Sequence, residues 1–362
     1  MIHLEKASTI YVMCPSRIVT GGIEAVHQLV DKLRKFGHNA VITPIPAVPN
    51  PVLLQYRNYD VEFCEDIQDD ERHLLITTEV NPRALDSYRQ IQKAVWWLSV
   101  DNHERLAEQF DFDDPANNHV VHFAQSAYAF NFLKQKGIQR PVYLSDYLHE
   151  TYLRPAKPHT HKHNLILYTP VKGSEAYVEP LMQADPSLQW LALKGMIRKK
   201  HAKTLRQGKV YVDFGTHPGK DRQPREAAVN GCCVIVGRKG AACFAEDIPI
   251  PEDYKFDAES LTIDLIIKTL QRCLFDHERR VKDFDQYAQI IRSEEERFEQ
   301  EVTSIFGVKS IHGKSSRSII TRNTLKFIRQ NNPPTVARGL ANEFLPLNFV
   351  NGIRRIYRRL ST

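Results

Sequence analysis

Val210-Tyr211-Val212-Asp213-Phe214-Gly215-Thr216-His217-Pro218-Gly219-Lys220-Asp221-Arg222-Gln223-Pro224-Arg225-Glu226-Ala227-Ala228-Val229-Asn230-Gly231-Cys232-Cys233-Val234-Ile235-Val236 reads as a strand, a long loop bearing glycines and charges, a helix, and a buried strand. Pro224 falls in the first turn of that helix and Glu226 just inside it, while Asn230-Gly231 makes the small-residue turn that follows. In open α/β sheets, ligands sit beyond the carboxyl ends of the strands, where helix N-termini present unpaired N–H groups to phosphates. This loop adds the cations Lys220, Arg222 and Arg225 to those donors. A site for a phosphate-bearing ligand is therefore expected here.

A second stretch near the start of the chain has the same logic. Ile10 to Cys14 forms a short apolar strand, Pro15 to Thr20 a loop, and Gly21-Gly22-Ile23-Glu24 opens an amphipathic helix closed by Gly37. Its apolar positions are Ile23, Val26, Leu29, Val30 and Leu33. Gly21 and Gly22 carry no Cβ, so backbone N–H groups there can approach an anion.

Together the two stretches resemble the GT-B glycosyltransferases, in particular the large retaining family whose second domain carries Glu-Gly-Phe-Gly and then Glu-Ala-x-Ala-x-Gly. Phe214-Gly215 and Glu226-Ala227-Ala228-Val229-Asn230-Gly231 match that pattern in part, and Gly21-Gly22-Ile23-Glu24 with Phe36-Gly37-His38 resembles its first strand-loop-helix-strand. The departures are specific: the family's first glutamate falls on Val212, its second alanine on Val229, and the loop before Glu226 is longer than the family's. The resemblance implies a cleft between two Rossmann-like domains, with Glu226 on the donor ribose and Asp213 standing in for the missing carboxylate. It places Tyr168-Thr169-Pro170-Val171-Lys172-Gly173 where the family has a phosphate-binding loop, which makes Lys172 a diphosphate contact. Ser126, Tyr128 and Phe132-Leu133-Lys134-Gln135-Lys136-Gly137 resemble the last helix of the family's first domain.

Punctuation and composition agree with two domains. Strand-like runs at 10–14, 39–43, 73–78, 94–100 and 118–123 alternate with helical stretches, and a second series follows at 164–168, 189–193, 209–213 and 232–236. The polar, proline-bearing segment 154–163 separates them. The expected division is 1–153 for an acceptor domain, 164–308 for a nucleotide-sugar domain, and 309–362 for a basic helical tail. With 362 residues, of which 42% are hydrophobic, the chain can bury two cores. No apolar window reaches the roughly 18 residues of a membrane span, and the first residues lack signal-peptide form, so a cytoplasmic location is expected. Six scattered cysteines form no Cys-x-x-Cys pair; Cys232 and Cys233 read as small buried strand residues.

On the acceptor side, Trp96-Trp97-Leu98-Ser99-Val100-Asp101-Asn102-His103 ends a buried strand with polar groups. Asp101 and His103 are candidates to orient or deprotonate an acceptor hydroxyl, and His122, near the end of the next strand, is a third. Core or capping roles stand beside that reading for each. Asp111-Phe112-Asp113 is a literal Asp-x-Asp but lies in a polar stretch and reads as a solvated loop. His159, His161 and His163 read as exposed linker residues, so no metal site is expected.

From Lys309 to Thr362, eleven Lys and Arg face a single acidic residue, Glu343, so the basicity of the chain is regional. Phe349, Val350, Ile353, Ile356, Tyr357 and Leu360 share one helical face, opposite Arg354, Arg355, Arg358 and Arg359. Such a helix suits an anionic bilayer surface, or docks on the protein body with its arginines in water. Nucleic acid is not an expected partner, since no recognised binding module surrounds the patch. The resulting expectation is transfer of a sugar from a nucleotide-sugar donor to a glycan or lipid-linked acceptor in bacterial surface-polysaccharide synthesis, with no separate cofactor. Alternatives are a CMP-sugar transferase, because His217-Pro218 resembles the His-Pro motif of sialyl- and Kdo-transferases, a sugar-nucleotide epimerase, and a non-catalytic GT-B subunit that binds a partner enzyme.

Overall fold

A computed structural model of the chain describes residues 2–48, 53–155, 161–170, 175–257 and 263–308. The tail and Lys172 lie outside these described residues. In the first half, strands β1 (Thr9–Pro15), β2 (Asn39–Ile45), β3 (Leu74–Thr78), β4 (Gln92–Trp97), β5 (Val121–Ala124) and β6 (Val142–Tyr143) form one sheet in the order β2-β1-β3-β4-β5-β6. Every pairing is parallel. Helices α1 (Gly21–Lys35), α2 (Val100–Glu104), α3 (Ala127–Gln135) and α4 (Glu150–Leu153) connect or follow these strands.

Because both faces of a parallel sheet are covered, its strands are largely apolar, and period two splits their side chains between two cores. Along β1, Ile10, Val12 and Cys14 enter one cluster, and Tyr11 and Met13 the other. The apolar stripe of α1 is buried as its spacing predicts, Thr20 accepts a hydrogen bond from Ile23 N at 3.3 Å as N-cap, and Gly37 leaves the helix at φ 85°.

In the second half, β7 (His163–Tyr168), β8 (Gln189–Ala192), β9 (Gly208–Asp213), β10 (Cys233–Gly237) and β11 (Lys255–Phe256) form a parallel sheet in the order β11-β10-β9-β7-β8. Its helices are α5 (Glu175–Ala184), α6 (Arg198–Gln207), α7 (Arg222–Val229), α8 (Ile263–Phe275), α9 (His277–Arg280), α10 (Asp285–Arg292) and α11 (Glu294–Phe306). Cys232 and Cys233 are buried in its core. Both sheets reverse direction of winding between their first and third strands, β1/β3 and β7/β9, so each has a switch point at which ligands of this architecture bind.

Two expectations about elements need correction. The strand expected over 94–100 ends at Trp97, because the next backbone donors go elsewhere: Leu98 N to the Glu79 carboxylate at 2.9 Å, and Val100 N to the Pro218 carbonyl at 2.7 Å. The strand expected from 118 starts at Val121, after a short turn of helix at Pro115–Asn117. Helix α11 also crosses back: Phe298, Val302 and Phe306, spaced by one turn each, complete the core of the first half. Among the described residues no helix is long and apolar enough to cross a membrane.

Candidate active site

The loop from Phe214 to Asp221 leaves β9 at the second switch point and reaches the first half. Gly219 passes so close to the end of β4 that a Cβ there would lie 2.0 Å from the Leu98 carbonyl oxygen, which excludes any residue but glycine. Lys220 N donates to the Gln125 side chain at 3.2 Å. A second seam lies at α3, whose first N–H groups, Ala127 N and Tyr128 N, donate at 2.8 and 3.0 Å to the Asp247 carboxylate of the other half. A helix N-terminus is where a carboxylate is best placed.

Between the seams, α7 meets α1. The Arg222 side chain lies against Gly21, where an added Cβ would fall 2.9 Å from its Cδ and Nε. Its guanidinium pairs with Glu24, in the first turn of α1, and with Asp146 at 3.2 Å. Arg198, at the start of α6, takes the other Glu24 oxygen at 2.7 Å. Burial alone would raise the Glu24 carboxyl, but Arg222 and Arg198 hold it below the ordinary glutamate value. Lys220 pairs with Glu294 of α11 at 2.9 Å.

Arg225 does not face the cleft. It is fully buried, bonded to both Asp146 oxygens, to Glu294 at 2.9 Å, and to the Lys220 and Asp221 carbonyls. The charge that the sequence offers to a phosphate is spent here on joining α7 to the first half and to α11. Glu226, one residue on, is buried, and burial pushes its carboxyl up to about 7 against the pull of Arg222. His201 Nδ1 lies 3.6 Å from its Oε2.

Asp213 is buried and accepts from Tyr211 Oη at 3.0 Å and Gly215 N at 3.0 Å. The fully buried His217 ring faces Asp221 at 3.0 Å. Asp213, His217 and Asp221 bring possible metal-ligating atoms within 4.8 Å of one another. His217 Nε2 lies 3.4 Å from the Asp213 carbonyl oxygen. Gly21 and Gly22 open α1 as expected, with Gly22 packed on Leu98.

The acceptor-side candidates separate. Asp101 is part-exposed and accepts from Tyr128 Oη at 2.9 Å. His103 and His122 are buried instead in an aromatic cluster with Trp97, Phe110, Phe112 and Phe132. Trp97 Nε1 donates to His122 Nδ1 at 3.1 Å, and His103 Nε2 accepts from Phe110 N at 2.8 Å. Burial lowers both imidazoles to about 4, so both are neutral and serve the core rather than the cleft. Asp111 and Asp113 are exposed in a hydrogen-bonded turn, and His161 and His163 are exposed.

Sequence reading missed Glu24, Arg198, Asp146 and Glu294, whose roles depend on partners far along the chain. It also missed Glu79, at the carboxyl end of β3, where burial pushes the carboxyl up to about 7 while Leu98 N donates to it. A carboxylate directly after an apolar strand was the available signal.

The paired switch points, the glycine-opened α1 and the α7 loop that meets it between the two halves decide the architecture. The chain has the GT-B fold. It is similar in structure to HepE of Anabaena in complex with UDP, with a TM-score of 0.59 at 12% identity over 82% of this chain and 99% of that one. Sucrose-phosphate synthase from Thermosynechococcus elongatus gives 0.53 at 13% identity, over 89% of this chain and 98% of that one. WaaG, a glycosyltransferase involved in lipopolysaccharide biosynthesis, gives 0.52 at 12% identity, over 82% and 99%. No protein-family model and no curated protein matches the sequence. The Gly21-Gly22 turn and the Phe214–Asp221 loop meet at the boundary between the two halves, where Gly22 and Gly219 both approach Leu98.

Proposed function

We propose that the chain is a glycosyltransferase that moves a sugar from a nucleotide-sugar donor to a glycan or lipid-linked acceptor, in the assembly of a bacterial surface polysaccharide. The observation that carries this reading is the convergence of the α1 and α7 N-termini, with Arg198 and Arg222, at one place between the two halves. UDP in the HepE structure and the involvement of WaaG in lipopolysaccharide biosynthesis support the donor class and the setting.

The chemistry asked of such a site is mainly charge stabilisation. As the anomeric carbon parts from the leaving diphosphate, negative charge grows on the phosphates and positive charge on the sugar; fixed guanidiniums and helix N-termini stabilise the former. In this proposal Arg222, Arg198 and Lys172 serve the diphosphate without a metal, Glu226 accepts from the ribose, and Asp101 orients the acceptor. A cytoplasmic protein whose basic tail rests on an anionic membrane fits the same reading.

A thermal-shift screen with UDP-, GDP-, dTDP- and CMP-sugars tests it: one donor class should raise the melting temperature, and that donor should turn over with a suitable acceptor. Absence of any shift and of any turnover would sink the reading. One observation favours a second reading, a non-catalytic GT-B subunit: the cleft is closed by buried ion pairs. Donor turnover by the purified chain would exclude it.

A further inference from the structure

We propose that Glu24 serves as an internal anion that clasps the cleft, and that a donor diphosphate takes Arg222 and Arg198 over from it. This rests on the donor reading above and adds to it a competitor for both arginines, Glu24.

Three relationships point this way. Glu24 sits in the first turn of α1, two residues after Gly22, where a helix N-terminus favours negative charge. Each of its carboxylate oxygens is held by a different guanidinium of the other half, Arg198 on Oε1 and Arg222 on Oε2, with Tyr59 Oη donating to Oε1 at 2.9 Å. Two arginines closing on one oxyanion from opposite sides is how a phosphate is gripped. Finally, Arg222 Nε is buried without a hydrogen-bond partner, a donor that an additional oxygen would satisfy.

The charges of the cleft leave room for the exchange. Lys220, Arg198, Arg222 and Arg225 stand against the carboxylates of Glu24, Asp146 and Glu294, with Glu226 held up towards its neutral form by burial. Arg225 is anchored on both sides and acts as a fixed post, whereas Arg198 is part-exposed and meets a single carboxylate. A diphosphate carries more charge than the carboxylate it displaces, and releasing Glu24 frees the Gly21-Gly22 turn to face it.

The test compares full-length wild type, Glu24→Gln, Glu24→Asp and Arg198→Gln by small-angle scattering and by calorimetric titration with UDP, GDP and the matching nucleosides. Glu24→Gln should enlarge the radius of gyration of the empty protein. It should also tighten nucleoside diphosphate binding by roughly tenfold, because a larger fraction of molecules is then competent to bind. Glu24→Asp should fall between, and Arg198→Gln should weaken the diphosphate at least fivefold while leaving the nucleoside unchanged, by loss of a charged hydrogen bond. Nucleotide binding of equal strength by all four proteins overturns the takeover and leaves the donor reading standing. Nucleotide binding by none of them overturns both. Loss of folding in both Glu24 variants makes Glu24 a structural post and overturns the clasp.

Discussion

Arg225 and Asp146 meet across the boundary between the two halves, both fully buried, with Nη2 2.9 and 3.0 Å from the two carboxylate oxygens. Glu294 approaches the same guanidinium from α11. Burial would lower the basicity of Arg225, but these two carboxylates more than restore it. The pair therefore ties three parts of the chain, the end of the first half, α7 and α11, through one side chain.

Replacing Arg225 by Gln removes the cation that buried Asp146 and Glu294 share, leaving them only Arg222 and Lys220, and should destabilise the protein by up to about 3–5 kcal/mol. Chemical denaturation measures this. A variant as stable as wild type would show that the triad contributes nothing to the fold.

Glu226 should make stability fall as pH rises. Its folded value, about 7, lies above the ordinary 4.5, so between these values the folded chain holds a proton that the unfolded chain has released. Glu226→Gln should remove up to about 1.4 kcal/mol of that loss per pH unit in this window, and be more stable than wild type above pH 7. Parallel pH–stability curves for the two proteins would refute the assignment.

The imidazoles of His27, His103 and His122 are all lowered to about 4 by burial. Proton NMR titration should find none of the three changing charge between pH 5 and 8. The sign is opposite to that of Glu226: each stabilises the folded chain above the unfolded value of 6.5, and that contribution is lost as pH falls from there towards 4. A resonance of His103 or His122 titrating near neutrality would return that residue to the list of acid–base candidates.

At Gly219 the seam leaves no room for a side chain. Gly219→Ala must push the loop from the end of β4, lengthening the Val100 N to Pro218 O bond. Amide exchange at Val100 should accelerate at least tenfold, while amides in the centres of β1 and β10 keep their protection. Unchanged exchange at Val100 would mean that the loop yields elsewhere.

Much of this fold was legible because parallel strands are apolar runs and the helices between them carry period 3.6. β1, β2 and β7 to β10 follow from that pattern nearly to the residue. The two-residue strands β6 and β11 do not, because an edge strand that short carries too few side chains to show a period. The site was legible in its backbone and less so in its charges. Gly21, Gly22 and the α7 loop lie where strand-loop-helix order puts them. Arg225 looked like a phosphate ligand because its partners, Asp146 and Glu294, stand 79 and 69 residues away. His103 and His122 sit near strand ends, as cleft residues do, and only the packing of Phe110, Phe112 and Phe132 shows that they face inwards.

The return of α11 onto the opposite sheet means that neither half is an autonomous folding unit. A polypeptide ending near residue 155 would present to water the apolar surface that Phe298, Val302 and Phe306 cover, and would self-associate unless the other fragment were present. Two separately expressed fragments, divided between residues 155 and 161, should instead recover one folded particle on mixing, with the later piece acting as a chaperone in trans for the earlier one.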